Sequence, residues 1–144
     1  MDHITEPMMR QLLSVGFSYP DYAHHLNYGM LYYYRDSYYY IGGSECEDFT
    51  ETDILAAQEG LWIPDGSQLL EWLKNNDFTV SIQLDAKESY FHITATDVCA
   101  NITYTGGGPL LSHALHKVIL KICKSNRREY SPEKKLRLPI ITEP

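Results

Sequence analysis

His113 and His116 lie three residues apart in an apolar-periodic stretch, a spacing that brings two imidazoles to one side of a helix and could hold a metal. A third ligand is lacking, since the nearest thiol, Cys123, comes seven residues after His116. The pair therefore reads as surface or boundary histidines, with no metal site. His24-His25 falls in a loop. His92 shares the polar face of a strand with Tyr90 and Thr94, either the floor of a shallow site or an exposed sheet face. Gly106-Gly107-Gly108 has the clearest binding mechanism, because backbone amides at a helix start attract phosphate or carboxylate. Yet no Lys-Ser or Lys-Thr follows as in a P-loop, and GxGxxG spacing is absent. A tight strand-to-helix turn explains the glycines more simply.

Leu31-Tyr32-Tyr33-Tyr34-Arg35-Asp36-Ser37-Tyr38-Tyr39-Tyr40-Ile41 reads as a hairpin of two aromatic strands. Tyrosines exposed there could stack on a base or form a protein-contact patch. The plain alternative is a tyrosine-rich sheet packed under the N-terminal helix. The acidic run from Glu45 to Asp53 follows, and it could either imitate a nucleic-acid backbone or serve as helix cap and solvated loop. Tyr32, Tyr34 and Tyr39 with Glu45, Glu47 and Asp48 make the candidate surface for a partner protein. Gly106, Gly107 and Gly108 with exposed tyrosines make an alternative site for a nucleotide-like anion. GxSxG, HExxH, CxxC and paired carboxylates at catalytic spacing are absent, so binding is favoured over catalysis, and no cofactor is expected.

Charge narrows the partners. Residues 124–144 carry six Lys or Arg against Glu129, Glu133 and Glu143, a net of +3. The remainder has six basic and sixteen acidic side chains, a net of −10. So acidic a body repels phosphate backbones and disfavours general nucleic-acid binding. Three cysteines without metal spacing fit free thiols in a reducing cytosol. Neither a secretory leader nor an apolar run of membrane-spanning length is expected, which suggests a cytoplasmic protein.

The elements that must position these residues read as an α+β domain over residues 1–125, with a basic, Pro-containing tail over 126–144. A helix starting near Thr5-Glu6-Pro7 presents Met8, Met9, Leu12, Leu13 and Val15 and stops at Gly16. Thr50-Glu51-Thr52-Asp53 resembles a cap for a short helix over Asp53 to Glu59, Leu61 to Pro64 reads as a buried connector, and Gln68 to Asn75 is helical. Phe78, Val80, Ile82 and Leu84 alternate with polar residues, one face packed and one wet, and Phe91, Ile93 and Ala95 match them across a hairpin. A third strand follows over Asn101 to Thr105. Leu110, Leu111, Ala114, Leu115, Val118, Ile119 and Ile122 then give one stripe of a long C-terminal helix. About five antiparallel strands packed by three main helices are expected.

Four segments, Met9 to Phe17, Leu31 to Ile41, Ile63 to Leu73 and Thr103 to Ile122, carry a pattern-level resemblance. The order of a Gly-Phe-terminated helix, aromatic strands, a Pro-led helix with Trp, strands and a final helix resembles small accessory proteins of phages, prophages and mobile elements. The resemblance implies an α+β layered fold and a phage context. By analogy it also implies binding to a host factor or sequestration of a signalling nucleotide. It carries over no catalytic residue. The acidic loop, the Gly-Gly-Gly-Pro stretch and the basic tail depart from it.

Overall fold

Asp85 and Asp97 each end a strand, and each begins a four-residue turn of the same design. The Asp85 carboxylate accepts from the amides of Lys87 and Glu88, and the Asp97 carboxylate from those of Cys99 and Ala100. Four residues after each aspartate a left-handed residue completes the turn, Ser89 at φ 51° and Asn101 at φ 57°. These turns fold β4 (Phe78–Asp85), β5 (Tyr90–Asp97) and β6 (Ile102–Gly108) into an antiparallel sheet ordered β4-β5-β6. The computed structural model describes residues 2–42 and 48–126.

A second antiparallel sheet, ordered β2-β1-β3, comprises β1 (Leu31–Tyr34), β2 (Ser37–Tyr40) and β3 (Leu61–Trp62). Arg35 and Asp36 close the β1–β2 hairpin with φ of 52° and 63°, the positive pair that a two-residue turn of matching twist requires. The described strands therefore number six in two sheets, where the sequence suggests about five. The extra one is β3, read above as a connector, whose two residues pair with Tyr32 and Tyr33.

Four α-helices surround the sheets: α1 (Glu6–Ser14), α2 (Glu51–Glu59), α3 (Gly66–Asn75) and α4 (Leu111–Asn126). The architecture is thus α+β with antiparallel sheets, an N-terminal helix, middle helices and a long C-terminal helix. Helices α3 and α4 pack on one face of the β4-β5-β6 sheet, and α1 lies against α4. The core runs through Met9, Leu12, Leu69, Leu73, Ile93, Leu115 and Ile119, all buried. Phe17 stacks on Trp72 with ring centroids 5.2 Å apart, fastening the end of the first helical segment to α3.

Helix and strand lengths decide what the helices leave uncovered. Ten residues of α3 rise about 15 Å, whereas eight residues of β4 extend about 26 Å. The alternating face of β4 is the helix-facing face, as the spacing predicts, and Phe78 is buried on it. Beyond Val80 the strand outruns its helix. Ile82 is 40% exposed and Leu84 56%.

Candidate functional site

Tyr32 is 1% exposed, and its hydroxyl donates to the Ala23 carbonyl at 2.8 Å. Tyr34 is also buried. Both belong to β1, the central strand of its sheet; Tyr32 is closed off in the core, whereas Tyr34 lines a hollow at the hairpin. Tyr39 is half-buried, and its hydroxyl donates to Asp53 Oδ1 at 2.8 Å. Tyr32 and Tyr39 are thus held by hydrogen bonds within the fold, and the exposed rings of this region are Tyr28 and Tyr38. Of the acidic candidates, Asp48 is exposed, while Glu45 and Glu47 lie outside the described residues.

Asp53 organises this region. It closes a capping box with Thr50, accepting from the Thr50 amide at 2.9 Å while its own amide donates to Thr50 Oγ1 at 3.1 Å. Its Oδ1 also accepts from the Gly42 amide at 3.2 Å, tying the end of β2 to α2. Burial pushes the Asp53 carboxyl up, but the hydrogen bonds from Thr50, Tyr39 and Gly42 outweigh it and hold the group below the usual carboxylate range. The helix begins at Glu51, two residues earlier than the sequence suggests, because Thr50 is the cap.

Gly106, Gly107 and Gly108 are strand residues of β6, paired in register with Ile93, His92 and Phe91. They do not form the strand-to-helix turn; of the three, Gly108 lies against the first turn of α4, where a Cβ would come 3.3 Å from the Ala114 amide nitrogen. What requires glycine is the close approach of that helix. A Cβ on Gly106 would lie 2.9 Å from Val118 Cγ2 and 3.3 Å from the Ala114 carbonyl. The exposed tyrosines and these amides are therefore not assembled into one site.

His116 is buried, contrary to its reading as a surface or boundary residue, and its Nε2–H donates to the Met8 carbonyl at 3.2 Å. Burial pushes its imidazole below the ordinary range against the pull of that bond. His113 is half-buried beside it. Among the described residues no three His, Cys, Asp or Glu side chains converge as a metal site. His92 stands exposed on the helix-free sheet face, near the Tyr90 ring at 5.0 Å. Cys123 is buried, and burial pushes its thiol up to about 12, so it is unreactive.

A hollow of about 350 Å³ at the tyrosine hairpin contains Arg10 and Arg35 but also Asp36 and Glu59. Arg10 is already paired with Glu6. The charges balance, so the hollow has no net pull on an anion.

A further candidate surface is the outer edge of β4, one of the two edge strands of its sheet. Among the described residues β4 has one strand neighbour, β5, so over residues 79–85 its other edge has no ladder partner among those residues. Natural edges are guarded by lysine, proline or a bulge; Phe78–Asp85 contains no Lys or Pro, and its eight pairs with β5 run without a skip. Asp85, its sole charge, stands at the end. Ile82 and Leu84 line this edge on the helix side, with half-buried Phe91 paired to Leu84 and exposed Leu110 two residues past Gly108. The alternation of β4 was legible in the sequence, but its edge position and uncovered end depend on tertiary packing.

No helix among the described residues is long and apolar enough to cross a membrane. No protein family, curated protein or solved structure matches the chain.

Proposed function

We propose that the protein is a non-catalytic protein-binding module that receives an extended segment of its partner along the outer edge of β4. The adjacent exposure of Ile82 and Leu84 on an unguarded edge strand carries this reading. Strand addition uses main-chain hydrogen bonds for affinity and alternate side chains for specificity. Here every second side chain of the added segment would meet the apolar end left uncovered by α3, which calls for alternating apolar residues. The net −10 of residues 1–123 disfavours a second copy of the chain and favours a segment flanked by Lys or Arg. An accessory or inhibitory role toward a host protein, implied by the resemblance above, would be exercised through this edge.

Selection of a random peptide display library on the full chain tests the reading. Enrichment of alternating apolar, Lys- or Arg-flanked peptides is expected, and it should disappear on the double variant I82K/L84K. Lack of enrichment, or enrichment indifferent to that variant, would refute it.

A further inference from the structure

A cavity of about 550 Å³ lies where the N-terminal segment meets the starts of α3 and α4. Its size suits a small organic ligand. Segment 2–4 forms one wall by pairing with 64–66. The Ile4 amide donates to the Pro64 carbonyl at 3.2 Å, and the Gly66 amide donates to the Asp2 carbonyl at 3.1 Å. Leu31, Ile63 and Leu111 supply apolar lining.

Two helix N-termini converge here, an arrangement that ordinarily favours an anion. Both are already met by carboxylates of the chain. Asp65 caps α3, its Oδ1 accepting from the Gln68 amide and the Ser67 hydroxyl at 2.9 Å each. Asp2 serves α4, its Oδ1 accepting from the Ser112 amide at 3.0 Å. The Oδ2 atoms of both have no hydrogen-bond partner among the described residues, and the lining contains no Lys or Arg. His3 Nδ1–H donates to the Ile4 carbonyl at 2.7 Å, which leaves Nε2 as an acceptor in the neutral ring. The cavity is thus acceptor-rich, anionic and apolar-walled. A primary ammonium supplies what it lacks, three donors and a positive charge on an apolar body.

We infer that this cavity binds a small organic amine, with Asp2 and Asp65 as charge partners. The inference is independent of the β4 edge. Phenethylamine, 2-phenylethanol and 3-phenylpropionate share an aromatic body and differ in charge. Titrated into the full chain and followed by amide NMR, phenethylamine is expected to shift Gly66, Ser67 and Ser112 and to raise the melting temperature. The alcohol should bind about tenfold more weakly or worse, and the carboxylate should leave these amides unmoved. Asp65→Asn retains a good N-cap while losing the charge, so it should fold normally and weaken phenethylamine about tenfold. Asp2→Asn supplies an independent second variant with the same expectation. Unmoved amides with millimolar phenethylamine, equal binding of the alcohol, or undiminished binding by Asp65→Asn would overturn the inference.

Discussion

Asp53 is a buried carboxylate with both oxygens engaged, and truncating it strands several donors together. Asp53→Ala removes the capping box of α2, the Tyr39 hydroxyl bond and the Gly42 amide bond. A loss of about 2–3 kcal/mol is expected in chemical denaturation. His116 sets a pH dependence. Its ordinary value is 6.5, and burial lowers it in the folded state, helped by the nearby His113 and Lys117 charges and opposed by the Met8 carbonyl. The unfolded chain therefore takes up a proton near pH 6.5 while the folded one resists. This contribution to stability is complete above pH 6.5 and is lost as the pH falls to the folded value. Denaturation at pH 7.5 and pH 5 should show that loss, and His116→Gln should lessen it; an identical pH dependence in the variant would contradict this role. The Asp53 cap was legible because capping is local: Thr50 and Asp53 stand three residues apart. The partner of His116 was hidden because Met8 is 108 residues away in the chain.

At the scale of elements, α4 lies on β6 at a distance that only glycine allows. The Gly106→Val side chain would meet Val118 and Lys117 on one side of the helix and the Ala114 carbonyl beneath it. Overpacking of this kind costs about 1–3 kcal/mol, measurable by denaturation, with Gly106→Ala less affected. An unchanged midpoint for the valine variant would mean that the helix is not held so close. Gly-Gly-Gly-Pro invites a turn reading because a glycine run looks locally like a break. Only the register with β5 identifies the three as strand residues. The two-residue β3 escaped for a similar reason: it is too short to show a period and exists through its pairing with β1. The β4 and β5 strands and the α4 stripe were readable because each repeats its signal over eight residues or more. In the tyrosine hairpin β1 is buried on both sides, so alternation there could not distinguish core rings from exposed ones.

For the described residues, two three-stranded sheets and their helices bury one contiguous core, and the mismatch between α3 and β4 leaves Ile82 and Leu84 exposed on an edge strand. I82K/L84K acts on exposed side chains, so its stability should stay within about 0.5 kcal/mol of wild type while peptide binding is lost. That separation would distinguish a contact surface from a structural one. The edge claim is tested most directly by amide NMR of the full chain titrated with a display-enriched peptide. Shifts and slowed hydrogen exchange concentrated over residues 80–84 are expected. Changes confined to the hairpin around Arg35, Asp36 and Tyr38, or no bound state for any peptide, would contradict it.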